Sequence, residues 1–331
     1  MYENLSDPMP MDKEIKLYTG TGNPELSQRI ADILHLELQG LTTEKFANGE
    51  TYARFTESVR GDDVFFIQTM AGENVNDLIM ETLIVADAAK RASCRRFTAV
   101  IPHYGYARQD RKAAPREPIT ARLVANLIEA AGIDQVITVD LHQGQIQGFF
   151  NIPVTHLTGL YLLGDYFKQK DFDWSQTVVV SPDMGRAKAA KKLSDYLGCE
   201  VAIAHKSRPK HNQAEVMGII GDIKGKTCIV NDDMIDTAGT LCGSVKKLKE
   251  MGAGDIYVCA THGIFTDPAI QRLEEAPIVE CVVTDVIPCE AANKPGSKIK
   301  TISIANELAE AIYSVYTNKP VSTIFGGNLN L

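Results

Sequence analysis

The sequence predicts an α/β protein with mainly parallel sheets covered by helices on both faces. Short apolar runs rich in β-branched residues recur along all 331 residues, and amphipathic stretches lie between them. Continuously apolar strands that alternate with helices are typical of parallel sheets buried on both sides. The predicted strands are Ile15–Tyr18, Val64–Gln68, Phe97–Ile101, Val136–Asp140, Thr177–Val180, Val201–Ala204, Thr227–Val230, Ile256–Ala260, Val279–Thr284 and Ile299–Ser303.

The length of the chain predicts two domains, because 331 residues is about twice the usual size of one domain. The strand and helix alternation weakens between Asn151 and Trp174, where no strand–helix–strand unit is visible. We therefore place a boundary near residue 155. The predicted division is an N-terminal domain, 13–155, a C-terminal domain, 156–313, and a segment, 314–331, that could pack on the N-terminal domain.

Two helices can be placed from the residues at their ends. Asn23 suits an N-cap and Pro24 a first turn, while a second helix is expected from near Pro118 to Gly132. The apolar residues predicted to share a face are Leu26, Ile30, Ile33 and Leu34 in the first helix, and Ile119, Leu123, Leu127 and Ile128 in the second.

Composition and charge exclude several classes of protein. Hydrophobic residues make up 44% and charged residues 23%, which is typical of a globular protein. With 34 basic and 42 acidic residues, the net charge of -8 disfavours a protein that coats nucleic acid, although local basic clusters could bind small anions. No apolar run approaches the roughly 18 residues of a membrane span.

Cysteine usage and the N-terminus predict a cytoplasmic protein. The seven cysteines are odd in number and form no C-x-x-C pair, which favours reduced thiols over a disulfide or zinc framework. The first twelve residues, MYENLSDPMPMD, lack the basic flank and apolar middle of a secretory signal.

The segment 227–240, TCIVNDDMIDTAGT, is the most informative part of the chain. An apolar strand leads into Asp232 and Asp233, and then into the small residues of 236–240 before a helix. Ligands of open α/β sheets bind beyond the carboxyl ends of strands, and helix N-termini hold phosphates. The carboxylates could accept hydrogen bonds from sugar hydroxyls or face a Mg²⁺ shell. The plain alternative is a capped turn with exposed acids.

Other chemically active side chains also follow predicted strands. Residues 108–112, RQDRK, come after Phe97–Ile101; His142 and Asp183 come after two further strands; and Lys206 and Arg208 follow Val201–Ala204. Guanidinium groups stack on rings and pair with phosphates, and cations on a closing loop can stabilise a phosphoryl-transfer transition state. Taken alone, each could instead be a solvated loop or a structural histidine.

The segment 227–240 resembles the phosphoribosyl-diphosphate binding loop of the type I phosphoribosyltransferase fold. The blocks IPHYGYARQDRK (101–112), VDLHQGQIQGFF (139–150) and FANGE (46–50) resemble signature blocks of the ribose-phosphate pyrophosphokinase family. The resemblance extends from about Lys13 to Phe325. It implies two similar doubly wound domains of that fold, each with a mainly parallel sheet.

The resemblance implies a reaction and a set of site residues. The family transfers the β,γ-diphosphoryl group of MgATP to the C1 hydroxyl of ribose 5-phosphate, which gives phosphoribosyl diphosphate and AMP for nucleotide biosynthesis. It implies Lys206 and Arg208 as catalytic residues, and His142 and Asp183 as Mg²⁺ ligands. The residues implied for ATP are Phe46, Asn48, Glu50, Arg108, Gln109, Asp110 and His142; those implied for ribose 5-phosphate are Asp232, Asp233, Asp236, Thr237, Ala238, Gly239 and Thr240.

The resemblance also implies a homo-oligomer, a hexamer built from dimers. Phe46, Asn48 and Glu50 are then expected to reach the adenine from a neighbouring subunit. Phosphate activation and ADP inhibition are further properties that it suggests.

Some positions depart from the family's usual pattern. Arg186 stands where a second glycine is common and Ala189 where an arginine is common. Asn231 precedes the acid pair in place of an apolar residue, which favours a strand that ends one residue early; His205 and Ser207 also vary.

Two other functions compete with the main interpretation. A phosphoribosyltransferase that consumes phosphoribosyl diphosphate would explain 227–240 but leave residues 108–112, His142 and Lys206 without a purpose. A non-catalytic regulatory subunit would be expected to lose the loop cations or the acid pair, and this chain retains both.

Overall fold

The computed structural model describes residues 14–207 and 216–325, with fourteen strands and eight α-helices in those ranges. The strands are β1 Ile15–Thr19, β2 Leu41–Lys45, β3 Thr51–Phe55, β4 Asp63–Ile67, β5 Arg96–Ile101, β6 Gln135–Val139, β7 Val154–Leu157, β8 Thr177–Ser181, β9 Glu200–Ser207, β10 Val216–Ile220, β11 Thr227–Ile235, β12 Ile256–Gly263, β13 Glu280–Thr284 and β14 Ile299–Ile302. The helices are α1 Pro24–Leu34, α2 Val75–Arg91, α3 Thr120–Ala130, α4 Leu160–Lys168, α5 Ala187–Leu197, α6 Gly239–Glu250, α7 Ala269–Glu275 and α8 Ala305–Tyr316. Short 3₁₀ helices span Gly144–Phe149, Trp174–Gln176, Met184–Arg186 and Val321–Phe325.

The strands form two large sheets and one hairpin. The first sheet has the order β1-β4-β5-β6-β7 and the second β10-β9-β8-β11-β12-β13-β14. All neighbouring strands in both sheets are parallel except β9 and β10. Strands β2 and β3 pair separately as an antiparallel hairpin.

Each large sheet is buried on both faces, as its apolar strands predict. All five residues of β4 are buried; Val64 and Phe66 belong to one hydrophobic cluster, while Phe65 and Ile67 belong to another. Since successive side chains of a strand point to opposite faces, these clusters cover the two faces of the first sheet. Two further clusters cover the second sheet in the same way, with Val178 in one and Val179 in the other.

The two sheets are joined where their strands end. Asp140, just after β6, accepts a 2.5 Å hydrogen bond from the hydroxyl of Thr261 in β12. A ring nitrogen of His262 lies 3.0 Å from the carbonyl oxygen of Val139. The carboxyl ends of β6 and β12 therefore meet, and the loops that follow neighbouring strands face one another.

Helix α8 comes after the second sheet in the chain but packs against the first. Its Leu308 and Ile312 are buried in the same hydrophobic cluster as Phe65 and Ile137. Strands of the first sheet and segments that follow strands of the second sheet thus share one core, which opposes independent movement of the two units.

A second polar contact between the units starts at the N-cap of α1. The Oδ1 atom of Asn23 accepts from the backbone N–H of Leu26, and its amide nitrogen donates to the carbonyls of Asp285 (2.8 Å) and Val286 (3.0 Å). The hydroxyl of Thr69 also donates to Val286.

The predicted elements are largely confirmed, and the exceptions have physical reasons. Each predicted strand overlaps an observed one, and α1 begins at Pro24 with Asn23 as its N-cap. Strands β2, β3, β7 and β10 went unpredicted; β2 and β3 contain charged residues and are at most half-buried, so they show no apolar run. The second predicted helix begins at Thr120 and ends at Ala130.

Three sequence expectations were wrong. The interval 151–174 contains β7 and α4, which are too short to show a clear period. Strand β11 does not end early at Asn231 but continues to Ile235, because residues 231–235 pair with β12. The predicted apolar faces were wrong in part: Ile119, Leu123 and Leu127 are 37%, 52% and 41% exposed, since Ala121, Val124, Ala125 and Ile128 form the buried face of α3. In α1, Ile33 is 39% exposed.

The domain boundary near residue 155 stays a prediction. All seven cysteines lie in the described ranges and are free, and five of them are buried. Among the helices of the described ranges, none has the length and apolarity needed to span a membrane.

We predict that Asn23→Ala lowers the free energy of unfolding by about 2–3 kcal/mol. The change removes an N-cap and leaves two buried carbonyls without this donor. Urea denaturation at equilibrium measures the loss. Asn74→Ala is the matched control, because Asn74 is the exposed N-cap of α2 and makes no side-chain cap hydrogen bond. Equal losses for the two variants would contradict the assignment.

Candidate active site at the junction of the two sheets

A cavity of about 640 Å³ lies at the junction of the sheets and receives residues from both. Strand β6 of the first sheet leads to His142, and strands β8 and β11 of the second lead to Asp183 and to the acid pair. Parallel strands end at the same edge of a sheet, so residues distant in the chain converge there. The lining includes Arg108, Arg111, His142, Asp183, Arg186, His205, Asp232, Asp233 and all of 236–240.

The acid pair is held inside strand β11 rather than in the loop after it. The exposed fraction of the side chain is 26% for Asp232 and 3% for Asp233. The backbone N–H of Asp233 donates to Oδ1 of Asp232 at 2.9 Å, and Oδ2 of Asp233 lies 2.7 Å from Nδ1 of His142. The strand thus fixes both carboxylates, and the first sheet supplies the partner of the more buried one.

The electrostatics of the pair differ between its two members. Burial, and then the hydrogen bond and charge of Asp233, raises the pKa of Asp232. Burial also opposes ionisation of Asp233, but the hydrogen bond to His142 and the charge of Arg186 outweigh it and hold its pKa below the ordinary value. The hydrogen bond to Asp233 in turn raises the pKa of His142, which favours an imidazolium–carboxylate pair.

The loop after β11 has the features of an anion site. Ala238 adopts the left-handed conformation with φ of 57°, and α6 begins at Gly239 without a side-chain cap hydrogen bond. The first N–H groups of a helix have no partner within it, so an anion can accept them. Thr237, Gly239 and Thr240 are exposed towards solvent. The assignment of 236–240 to a phosphate stays a prediction, which this backbone arrangement allows.

An arginine outside the motif supports this loop. Nη1 of Arg272 in α7 donates to the backbone carbonyl oxygen of Thr237 at 2.8 Å. A Cβ atom at Gly239 would lie 3.3 Å from the same Nη1, so a larger residue there would crowd Arg272.

Of the residues predicted to bind ATP, Arg108 and His142 line the cavity, whereas Gln109 and Asp110 are not among its lining residues. Nη1 of Arg108 forms a 2.7 Å ion pair with Oδ2 of Asp236, which joins the two predicted substrate sites directly. The charge of Asp110 also contributes to the raised pKa of His142. The amide oxygen of Gln109 accepts from the hydroxyl of Thr120 at 2.5 Å.

Phe46, Asn48 and Glu50 lie elsewhere, in the turn of the β2–β3 hairpin. They are not among the residues that line the cavity. Phe46 is 54% exposed, although its ring centroid lies 5.7 Å from that of Tyr52. Oδ1 of Asn48 accepts from the backbone N–H of Glu50, and Gly49 adopts φ of 89°. The turn is ordered locally and presents an aromatic ring outwards.

The predicted metal ligands can be tested against the chemistry of Mg²⁺. Asp183 is exposed, and its Oδ1 accepts from the backbone N–H of Arg186 at 3.0 Å. Within 14–207 and 216–325, no three His, Cys, Asp or Glu side chains are grouped as a metal site. Mg²⁺ is commonly held by one or two carboxylates together with water and substrate phosphates. Asp183 beside the acid pair fits that donor set, whereas Nδ1 of His142 is already engaged by Asp233.

The predicted catalytic residues are described only in part. The backbone of Lys206 lies in β9 and pairs with Met217, while its side chain is outside the described structure, as is the whole of Arg208. The adjacent His205 lines the cavity. Strand β9 therefore leads directly from the cavity into the segment that carries the two cations.

Sequence reasoning did not assign three arginines of this region to a role. Arg111 drew attention only as part of the charged block 108–112, and Arg186 only because it stands where a glycine is common. No pattern in the sequence pointed to Arg272. The basic residue that follows Asp183 by three positions was a usable signal, because it shares that strand end. Nothing local indicates Arg272, since it reaches Thr237 across 35 residues.

We predict that Asp233→Asn lowers the pKa of His142 in the ligand-free protein. The amide removes the negative charge and the acceptor that favour the imidazolium. Because the wild-type pKa is raised by folding, this pair stabilises the fold fully below the unfolded value of about 6.5, and the stabilisation is lost as pH rises through the folded value. NMR titration of labelled histidine measures the pKa of His142 in both proteins. Asp32→Asn, on the exposed side of α1, is the control, and an unchanged titration of His142 in Asp233→Asn would refute the interaction.

The chain is similar to known proteins along most of its length. The family model of the N-terminal domain of ribose phosphate pyrophosphokinase matches residues 15–132, and that of the phosphoribosyl synthetase-associated domain matches 208–326. A ribose-phosphate pyrophosphokinase of Clostridium acetobutylicum is 51% identical over 313 residues, which cover 95% of this chain and 98% of that protein. One from Caldanaerobacter subterraneus is 51% identical over 311 residues, covering 94% and 98%.

A solved structure is similar over nearly the whole chain. The crystal structure of phosphoribosylpyrophosphate synthetase from Mycobacterium smegmatis has 45% sequence identity and a TM-score of 0.86, and the match covers 92% of this chain and 100% of that one. This similarity, together with the observed parallel sheets, confirms the predicted fold class.

Proposed function

Because the chain belongs to the ribose-phosphate pyrophosphokinase family, we propose that its cavity transfers the β,γ-diphosphoryl group of MgATP to the C1 hydroxyl of ribose 5-phosphate. The products are phosphoribosyl diphosphate and AMP. The observation that carries this proposal is the 2.7 Å ion pair between Arg108 and Asp236, which puts the predicted nucleotide side and the predicted sugar-phosphate side into one cavity.

The sugar-phosphate side is built on strand β11 and the start of α6. The 5-phosphate binds at 236–240, where the uncapped N–H groups of α6 and the helix dipole favour a dianion. Asp232 and Asp233 accept hydrogen bonds from ribose hydroxyls, directly or through a metal-bound water. Arg272 holds the loop carbonyl at Thr237 and so keeps the N–H groups directed at the phosphate.

The nucleotide side is built on the loop after β5 and on His142. Arg108, Gln109 and Asp110 contact ATP, and binding of the triphosphate competes with Asp236 for the Arg108 guanidinium. His142, held by Asp233, lies between the two substrates.

Transfer is an in-line attack of the sugar C1 oxygen on the β-phosphorus. A bond forms between these atoms, the bond from the β-phosphorus to the α,β-bridging oxygen breaks, and AMP leaves with that oxygen. The proton of the C1 hydroxyl is released to solvent with the products. Lys206 and Arg208 stabilise the charge that develops on the transferred group. The site contributes by aligning both substrates and excluding water, so no covalent enzyme intermediate is required.

Mg²⁺ is the proposed cofactor, with Asp183 and His142 as its predicted ligands and the acid pair beside them. When bound, the ion neutralises the phosphate oxygens. Asp183 can offer its second oxygen while Oδ1 accepts from Arg186. His142 can offer only its second ring nitrogen while Asp233 holds the first, so the carboxylate is the better-suited ligand.

We propose that the working form is a homo-oligomer, a hexamer built from dimers, in which the β2–β3 hairpin of one subunit completes the ATP site of another. The exposed Phe46 ring and its distance from the cavity lining support this arrangement. Asn48 and Glu50 then reach the adenine from the same turn. Seven free cysteines, five of them buried, support a reducing cytoplasmic location.

The direct test is an assay with ATP, Mg²⁺ and ribose 5-phosphate, run with and without inorganic phosphate. We expect AMP to form in equal amount to phosphoribosyl diphosphate and only when both substrates are present. AMP released without ribose 5-phosphate, or no AMP with both substrates, would refute the proposed reaction.

We predict that Lys206→Ala lowers kcat by at least about 10²-fold while the KM for ATP stays within about threefold of wild type. The lysine is assigned to developing charge, so its loss affects the transition state more than the ground state. Lys224→Ala is the control, because Lys224 is an exposed lysine in the turn before β11. A kcat within tenfold of wild type would remove Lys206 from the mechanism.

A shared active site predicts recovery of activity in mixed oligomers. Phe46→Ala damages the hairpin and Asp236→Asn damages the cavity, so either variant alone is impaired at every site. In an oligomer assembled from both by co-expression, about one site in four combines an intact hairpin with an intact cavity. Activity per site should rise accordingly, whereas a chain with both changes should gain nothing. No recovery would place the whole site within one subunit.

A further inference from the structure

We infer that Arg186 is a positioning residue for the acid pair, and that a guanidinium placed at position 189 in its stead would serve the pair equally. The inference rests on the proposed function, because it adds a residue to the same site.

Arg186 is directed at the acid pair by the local backbone. It ends the short 3₁₀ helix Met184–Arg186 that connects β8 to α5, and its backbone N–H donates to Oδ1 of Asp183. Its Nε atom lies 3.8 Å from Oδ1 of Asp232 and 3.9 Å from Oδ1 of Asp233. One guanidinium therefore approaches both carboxylates.

The guanidinium is also poorly served by other partners. The side chain is 20% exposed, and its Nε atom is buried with no hydrogen-bond partner in the described structure. An Arg N–H that remains buried and unpaired costs free energy, unless a bound ligand or a small rearrangement supplies an acceptor. The acid pair and the sugar hydroxyls are the acceptors within reach.

The acid pair needs such a cation. Two adjacent carboxylates with limited access to water repel each other, and one tends to take up a proton. Among the described residues, the ion-pair partners within 4.0 Å of these two carboxylates are His142 and Arg186. His142 reaches only Asp233, so Arg186 is the described cation that approaches Asp232. Arginine stays charged at all physiological pH values, so its support does not depend on proton uptake.

Position 189 faces the same space. A second cavity of about 510 Å³ adjoins the first and is lined by Arg186, Ala189, Asn231 and Asp232 among others. Ala189 lies in the first turn of α5, three residues after Arg186, and residues so spaced on a helix lie on one side. A long side chain at 189 can therefore extend through this cavity towards Asp232. A glycine at 186 would leave room for it, and Ala189 leaves room for Arg186.

The two positions should therefore substitute for each other. One guanidinium from either position supports the acid pair. Without a guanidinium at either position, the acid pair loses its cation. With a guanidinium at both positions, the two groups compete for one space. This pattern differs from that of an arginine that only packs α5 against β8.

The test compares Arg186→Gly, Ala189→Arg and the double variant with wild type. Affinity for ribose 5-phosphate is measured by calorimetry with Mg²⁺ and α,β-methylene ATP, an analogue whose α–β bridge cannot be cleaved. We expect Arg186→Gly to weaken ribose 5-phosphate binding at least about tenfold, with the KM for ATP within about twofold of wild type. The double variant should recover to within about threefold of wild type.

Three further measurements separate positioning from folding. Arg186→Gln keeps the length of the side chain without its charge and should match the loss in Arg186→Gly. Guanidinium ion at low millimolar concentration should partly restore Arg186→Gly, which a purely structural role would not allow. Lys191→Ala is the control, because Lys191 is exposed on α5 and pairs with Asp195.

The outcomes distinguish this inference from the proposed function. A wild-type protein that neither binds ribose 5-phosphate nor forms AMP would overturn both. Two results with an active wild type would overturn the role of Arg186 alone. One is that Arg186→Gln binds ribose 5-phosphate as tightly as wild type; the other is that the double variant binds it no more tightly than Arg186→Gly.

Discussion

The contact between the carboxyl ends of β6 and β12 is the constraint on which the site depends. Asp140 accepts hydrogen bonds from the hydroxyl of Thr261 and from the backbone N–H of Gly159 (2.8 Å), so one carboxylate fixes strand ends from both sheets. If this contact shifted, His142 and Asp233 would lose their 2.7 Å geometry. Shared burial of α8 against the first sheet makes such a shift costly.

Within that frame, the cavity combines opposite charges in a small volume. Acidic groups from β11 face cations from three separate loops: Arg108, His142 and Arg186. In the ligand-free state the cations neutralise the carboxylates. Anionic substrates can then exchange for these internal partners, so binding replaces one set of ion pairs with another and leaves no charge buried alone. Arg108 is the clearest example, since its partner Asp236 begins the predicted phosphate-binding loop.

The hairpin β2–β3 has a different relation to this cavity. It pairs only with itself, it is half-exposed, and its turn is held by short-range hydrogen bonds. Leu41, Ala53 and Phe55 pack the strands of the hairpin against the core of the first sheet, while Phe46 in its turn is exposed, so the hairpin can present that ring to a second subunit. A site completed by a neighbour would couple activity to assembly.

The sequence by itself determined the elements and the chemistry at their ends. Apolar runs such as Val64–Gln68 identify buried strands because parallel sheets are covered on both faces, and the order of strand, acids and small residues in 227–240 predicts a phosphate loop because that chemistry is local. Elements that are short or half-exposed, such as β7 and β3, were not predicted, because they bury too few residues to produce a recognisable apolar pattern. Only the tertiary structure decided that β11 runs through Asp232 and Asp233, that Asp233 binds His142, and that Arg186 and Arg272 serve the same cavity. These pairs are 35 to 91 residues apart in the chain, and such contacts depend on how two sheets meet, which no local pattern encodes.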